Sequence, residues 1–89
     1  MPSRDVTIIN RLGLHARAAA KFVAMASRFH SEIVVHRATK VVNGKSIMGV
    51  MMLAAGKGTV LRICATGEDA EQALDALEAL IGDRFEEKE

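Results

Sequence analysis

The sequence of 89 residues contains no tryptophan, no tyrosine and a single cysteine, Cys64. Without a second cysteine no intrachain disulfide can form, and a lone thiol within the apolar alternating run at 60–65 is expected to be buried and unreactive. Three phenylalanines supply little surface for stacking nucleic-acid bases. Twelve basic and eleven acidic residues give a net charge of +1, which lacks the strongly basic balance of nucleic-acid and membrane-surface binders. We therefore expect neither of those partners.

The sequence also lacks a long apolar segment and any cluster of metal-ligating residues. The longest apolar stretch, at 47–55, is far shorter than the ~20 residues of a membrane-spanning helix. Residues 1–10 have no apolar core of the kind that a signal peptide carries. No spacing of cysteine, histidine and carboxylate is typical of zinc, so neither a metal nor another cofactor is expected. Together with the unpaired thiol, these absences favour a cytoplasmic protein.

The apolar residues follow two spacings, one typical of strands and one typical of helices, which alternate along the chain. Apolar residues that alternate with polar ones predict four short strands, near 6–8, 33–35, 41–42 and 60–65. Helical spacing predicts three helices, at 16–28, 46–53 and 70–81. The order βαββαβα predicts that residues 1–89 form one α+β domain, with the helices on one face of an antiparallel sheet.

Two polar residues stand at predicted helix starts. Ser46 is a good N-cap for the second helix, and Asp69 opens the third with Gln72 three residues later, as in a capping box. Beyond the third helix the charged tail at 86–89 is expected to fray.

The segment Gly-Leu-His-Ala-Arg at 13–17 puts a histidine where a glycine loop meets a helix. Free N–H groups and the positive end of the helix dipole favour an anion there, and Arg17 can add a charge-assisted bond to phosphate oxygens. The same positive end favours a neutral imidazole, whose ring nitrogen is a nucleophile. The spacing therefore suits a phosphorylated His15, but it equally suits the commoner case of a histidine that only caps the helix.

The segment at 47–53 is apolar on every side, so one sheet cannot cover it, and a methionine-rich exposed surface suits partner binding. The preceding Asn-Gly-Lys-Ser resembles the end of a P-loop, but Thr39 stands where the first glycine belongs, which disfavours nucleotide binding. A phosphate on Ser46 would be tolerated at a helix start. His30 and His36 are interpreted as structural residues without a role in chemistry.

With these residues, the sequence resembles the HPr family, the histidine phosphocarriers of the bacterial phosphoenolpyruvate-dependent phosphotransferase system. Two segments carry the resemblance, 13–17 and Asn-Gly-Lys-Ser-Ile-Met-Gly-Val-Met at 43–51, and it extends from Val6 to Ile81. It implies an open-faced β-sandwich with strand order 1-4-2-3. It further implies that His15 takes a phosphoryl group on Nδ1 from enzyme I and passes it to an enzyme IIA-type component. The implied protein is a monomeric carrier in sugar transport, not an independent catalyst.

The resemblance also implies roles for other residues. Ala16 and Arg17 match the positions that hold the phosphoryl group. Ser46 matches a regulatory serine phosphorylated by an HPr kinase/phosphorylase. The implied docking surface for partner proteins is formed by Ala20, Ile47, Met48 and Met51.

Some positions differ from the usual family pattern. Ala18 replaces the proline that commonly follows the arginine, and Ala24 and Ser27 stand where basic residues are frequent, with Lys21 and Arg28 as the nearby cations. Both a sugar-transport carrier and a nitrogen-type or other regulatory relative are compatible with these differences.

Two further interpretations compete with the carrier. One is a regulatory binding module controlled through Ser46. The other is a small hydrolase of acyl phosphates, for which the sequence offers no separate general base near His15.

Overall fold

A computed structural model describes residues 2–88, and within them a four-stranded antiparallel sheet packs against three α-helices. The strands are β1 (Ser3–Thr7), β2 (Glu32–Arg37), β3 (Lys40–Asn43) and β4 (Val60–Thr66). The helices are α1 (Ala16–Ala26), α2 (Ile47–Met52) and α3 (Ala70–Gly82). The strands lie in the order β1-β4-β2-β3. The predicted fold class, an α+β open-faced sandwich with order 1-4-2-3, is confirmed.

Within residues 2–88 the helices cover one face of the sheet, so alternate side chains of a strand point toward the core and away from it. On β4 the side chains of Leu61, Ile63 and Ala65 are buried. Cys64 lies between them and therefore faces the other way, where it is half-buried. The prediction of a buried thiol is wrong, since strand alternation puts Cys64 on the face opposite to its buried neighbours Ile63 and Ala65.

The helices fill the covered face with small and branched side chains. Phe22 of α1 is buried against this core, as are six residues of α3 that the helical spacing predicts: Ala70, Ala73, Leu74, Leu77, Leu80 and Ile81. Val50 and Leu53 hold α2 to the same core. Among residues 2–88, no helix has both the length and the apolar character that crossing a membrane requires.

Asp69 stands at the N-cap of α3 but does not use its side chain as a cap. The carboxylate instead accepts hydrogen bonds from the backbone N–H groups of His30 (2.8 Å) and Ser31 (2.9 Å) and from the Ser31 hydroxyl. The predicted capping box is therefore wrong, because a partner distant in sequence competes for the carboxylate. These bonds, that of the Ser31 hydroxyl foremost, lower the pKa of Asp69 to about 2.

The lowered pKa of Asp69 makes the stability of the fold depend on pH. An unfolded aspartate has a pKa of about 3.9, so the stabilisation is fully present above that pH and is lost as pH falls through about 2. We expect the melting temperature of the wild type to fall more steeply between pH ~4 and pH ~2 than that of Asp69→Asn. Circular dichroism melts at several pH values measure this. Asp83→Asn is the control, and equal slopes for wild type and Asp69→Asn would contradict the account.

The chain after α3 turns back onto the protein instead of fraying. Arg84, Phe85 and Glu86 have left-handed φ angles of 54°, 53° and 65°, which cost non-glycine residues about 1–2 kcal/mol each. The Phe85 side chain is fully buried, and Lys21 Nζ donates to the Phe85 carbonyl at 2.9 Å. The prediction that the tail at 86–89 frays is wrong for Glu86 and Glu87, since the chain turns back there and Glu87 is half-buried. Glu89 lies outside the described residues.

Candidate functional site

His15 is the N-cap residue of α1, with an extended backbone (φ −75°, ψ 178°). Its carbonyl accepts the first hydrogen bond of the helix, from Ala19 N–H at 2.8 Å. His15 therefore caps the helix by its backbone position, but its ring makes no capping hydrogen bond. The imidazole, whose side chain is 29% exposed, is held at the helix start but is available for another use.

The loop before His15 is held against the loop that follows α2. Leu14 N–H donates to the Ala55 carbonyl at 2.8 Å, and Gly13 has a left-handed φ of 68°. A Cβ on Gly13 would lie 2.6 Å from the Ala55 carbonyl oxygen and 2.8 Å from the Gly56 Cα atom. Glycine is required here by both conformation and space. The contact brings the C-terminal end of α2 next to the loop that carries His15.

The first turn of α1 offers donors for an anion. Within residues 2–88, the backbone N–H groups of Ala16, Arg17 and Ala18 have no hydrogen-bond acceptor, as expected for the start of a helix. The Arg17 side chain is exposed and, in that same part of the chain, makes no ion pair or hydrogen bond. Backbone donors, a helix dipole and a free guanidinium can together hold a phosphoryl group.

An exposed apolar surface lies on α2. Met48 is 72% exposed, and Ile47 and Met51 are also exposed, while Val50 faces the core. Ser46 caps this helix as predicted, since its Oγ accepts from Gly49 N–H at 3.2 Å. Ala20 is exposed on α1, which packs against α2. The structure therefore presents the predicted docking residues to solvent.

Glu87 contacts the imidazole of His15 from the C-terminal tail. His15 Nε2 and Glu87 Oε2 are hydrogen-bonded, and Asn10 Nδ2 donates to the other carboxylate oxygen at 3.0 Å. Asn10 is fully buried, and its Nδ2 also donates to the Gly13 carbonyl at 2.8 Å. The hydrogen bond from Asn10, followed by that from His15, lowers the pKa of Glu87. The side chain of Glu87 is 15% exposed, so this carboxylate is held in place at the site.

Sequence reasoning missed Asn10, Phe85 and Glu87. The available signal was a phenylalanine standing alone in the charged tail, since phenylalanine is among the residues most often buried. Nothing in the local pattern marks Asn10, whose role depends on the folded loop. In the part of the chain that the structure describes, no group of three or more His, Cys, Asp or Glu side chains could hold a metal ion.

Both the sequence and the structure of the chain are similar to those of known phosphocarrier proteins. A sequence model of the family described as "PTS HPr component phosphorylation site" matches residues 2–83. The phosphocarrier protein HPr of Pseudomonas putida is 59% identical over the whole of both chains. The phosphocarrier protein NPr of Shewanella violacea is 44% identical, over 94% of this chain and 92% of its own. The crystal structure of HPr-C-His from Thermoanaerobacter tengcongensis is similar over all of both chains, with a TM-score of 0.96 and 46% identity.

Proposed function

Because the chain belongs to the HPr family of the phosphotransferase system, we propose that it carries a phosphoryl group on His15 from enzyme I to an enzyme IIA-type component. The observation that carries this proposal is the position of His15. Its ring stands at a helix N-terminus whose first N–H groups and Arg17 have no partner among residues 2–88. Such a place can hold the negative charge that arrives with a phosphoryl group.

The proposed step is an in-line transfer of the phosphoryl group from a donor atom on enzyme I to a ring nitrogen of His15. The lone pair of His15 Nδ1 forms the new bond to phosphorus, while the bond between phosphorus and its donor atom on enzyme I breaks and leaves its electron pair with that donor. The proton on Nε2 stays in place, so the product ring carries a positive charge. The N–H groups of Ala16 and Arg17 and the Arg17 guanidinium then bind the phosphoryl oxygens.

A carrier is favoured over a hydrolase because nothing described at the site is suited to activate water. Among residues 2–88, Glu87 is the carboxylate that contacts His15, and its two oxygens accept from His15 and Asn10. The hydrogen bond from Asn10, followed by that from His15, lowers the pKa of Glu87, so this carboxylate is a weak general base for an attacking water. The phosphohistidine is proposed to last until a partner protein accepts the group.

We assign partner docking to the apolar surface formed by Ala20, Ile47, Met48 and Met51. Its support is the exposure of these side chains next to the loop that carries His15. A relay needs rapid release, so we expect the monomeric protein to bury less than ~1,200 Å² with each partner. The proposed compartment is the cytoplasm, which keeps an unpaired thiol such as Cys64 reduced.

We also propose that an HPr kinase/phosphorylase regulates docking by phosphorylating Ser46. A phosphate at the N-cap of α2 is compatible with the helix and adds about −2 charge beside Ile47 and Met48. This charge would repel an acidic partner surface. The identities of the relatives favour an HPr-type carrier over an NPr-type relative, since the HPr of Pseudomonas putida matches at 59% and the NPr at 44%.

Ser46→Asp tests this regulation. We expect the rate of phosphoryl transfer from enzyme I to fall roughly tenfold at low salt and to recover partly at high salt, because the added charge acts through repulsion. Stopped-flow or quench kinetics measure the rate. Ser3→Asp, which adds the same charge on the open face of the sheet, is the matched control. Equal rates for both variants at low salt would rule out the inhibitory role of Ser46.

The direct test of the proposed function is incubation with phosphoenolpyruvate, magnesium and enzyme I. The protein should acquire one phosphate that is labile in acid and stable in base, and should lose it to an enzyme IIA-type component. A protein that stays unlabelled beside an active enzyme I would refute the carrier proposal.

A further inference from the structure

The C-terminal tail is built to bring a carboxylate to His15. Phe85 is fully buried between the helices, and the three left-handed residues Arg84, Phe85 and Glu86 reverse the chain direction after α3. Lys21 fixes the turn by donating to the Phe85 carbonyl at 2.9 Å. Its ion pair with the exposed Glu86 side chain, at 3.3 Å, adds little, because exposed ion pairs are weak. Backbone conformations of this kind persist only where the surrounding structure holds them, and they concentrate at functional sites.

The carboxylate that arrives this way is fixed on both of its oxygens. Asn10 Nδ2 can only donate, and it donates to Glu87 Oε1 at 3.0 Å. The Gly13 carbonyl accepts from the same amide nitrogen at 2.8 Å, so the side chain of Asn10 cannot turn its oxygen toward Glu87 without losing that bond. Glu87 Oε2 is therefore left to accept from His15, and an ionised carboxylate can accept only from a protonated Nε2.

We infer that Glu87 is a positioning residue for phosphoryl uptake, because its carboxylate holds the imidazole proton on Nε2 and so leaves Nδ1 as the nucleophile. The inference rests on the proposed function of His15 and adds a residue to it. Within residues 2–88, Nδ1 of His15 has no hydrogen-bond partner, so this nitrogen is the one free to attack. Which nitrogen of a histidine reacts is set by the hydrogen bond that the other nitrogen makes.

The same contact suits the product of the transfer. When Nδ1 binds phosphorus, the ring becomes positively charged while Nε2 keeps its proton, and a carboxylate on Nε2 stabilises that charge. The charged groups near this pair include Lys21, which lowers the pKa of Glu87 through its charge, and Arg17 in the first turn of α1. Arg11 and Lys88 line a surface cavity together with Glu87. Glu87 lies on the Nε2 side of the ring, so it does not occupy the N–H groups proposed to hold the phosphoryl oxygens.

Glu87→Gln tests the inference because an amide, unlike a carboxylate, cannot accept a hydrogen bond on both of its terminal atoms. Asn10 continues to donate, so the new amide must present its oxygen to Asn10 and its NH₂ group to His15. That NH₂ group donates to Nε2 and moves the imidazole proton to Nδ1. We expect NMR of the imidazole nitrogens in the free protein to show the Nε2–H tautomer in the wild type and the Nδ1–H tautomer in Glu87→Gln. Glu87→Ala, which removes the contact, should give a mixture.

The rate of phosphoryl uptake should follow the tautomer. We expect the single-turnover rate from phosphorylated enzyme I to fall about ten- to a hundredfold in Glu87→Gln, in line with the loss of one charge-assisted hydrogen bond. Glu86→Gln is the matched control, since it removes the neighbouring carboxylate without touching His15, and it should keep both the tautomer and the rate of the wild type. The expected binding of enzyme I is the same for all these variants.

Two results separate this inference from the proposed function. If Glu87→Gln keeps the Nε2–H tautomer, or is phosphorylated as fast as Glu86→Gln, Glu87 does not position His15 and the inference is wrong, while the carrier function stands. If the wild type is not phosphorylated by an active enzyme I, the proposed function fails. In that case the tautomers of the free proteins still decide whether Glu87 controls the proton on His15.

Discussion

His15→Ala should abolish the acid-labile phosphate that the wild type acquires from phosphoenolpyruvate and enzyme I. The substitution removes the only nucleophile at the start of α1 among the described residues, but leaves Arg17 and the free N–H groups in place. Because binding groups without an acceptor atom cannot form the bond to phosphorus, the loss should be complete and not partial. Labelling with radioactive phosphoenolpyruvate, or intact-protein mass spectrometry in base, measures the phosphate.

The other two histidines, His30 and His36, provide controls for this result. His30 follows α1 and His36 lies on β2, and neither is the N-cap residue of a helix among residues 2–88. The contact that His30 makes to Asp69 uses its backbone N–H, so His30→Ala keeps it. We expect His30→Ala and His36→Ala to be phosphorylated like the wild type. Retained labelling in His15→Ala would show that another residue accepts the phosphate.

Gly13→Ala should destabilise the protein and disturb the site together. The left-handed φ of 68° is unfavourable for alanine, and the new Cβ would lie 2.6 Å from the Ala55 carbonyl oxygen. Strain and the forced backbone shift together correspond to roughly 2–4 kcal/mol of unfolding free energy. In a domain of this size the melting temperature should fall by roughly 10 °C or more. The shift also moves the Gly13 carbonyl away from Asn10, so phosphoryl uptake at low temperature should slow as well.

Gly56→Ala is the matched control for Gly13→Ala. Gly56 lies on the other side of the same loop contact, and a Cβ added there would meet nothing within 4 Å. We expect its melting temperature and rate of phosphoryl uptake to stay close to those of the wild type. Melting curves in which both variants lose the same stability would mean that the tight approach at Gly13 is not what holds the loop.

The periodic elements of this fold could be predicted because their cause is local. Helical spacing predicts the buried residues of α3, and the surplus of apolar side chains at 47–53 predicts that some of them are exposed, as Met48 is. Ser46 as an N-cap needs only its own helix, so the sequence suffices. The strand order is different, since it depends on pairing between distant segments, and it follows from the family resemblance and not from periodicity.

The features that could not be predicted depend on contacts between distant parts of the chain. Asp69 binds Ser31 across 38 positions in place of its own helix, so the capping pattern misleads. The tail turns back because Phe85 is buried against α1 and α3, and the lone phenylalanine in the tail sequence does not reveal which helices would cover it. Asn10 and Glu87 meet at His15 only after that tail is in place.

The most direct test of the central claim is NMR of the phosphorylated wild type with isotope-labelled histidine nitrogens. After incubation with phosphoenolpyruvate and enzyme I in basic buffer, phosphorus should couple to Nδ1 of His15, and Nε2 of the same ring should keep its proton. A phosphorus coupled to Nε2 of His15, or found on any other residue, would contradict the account.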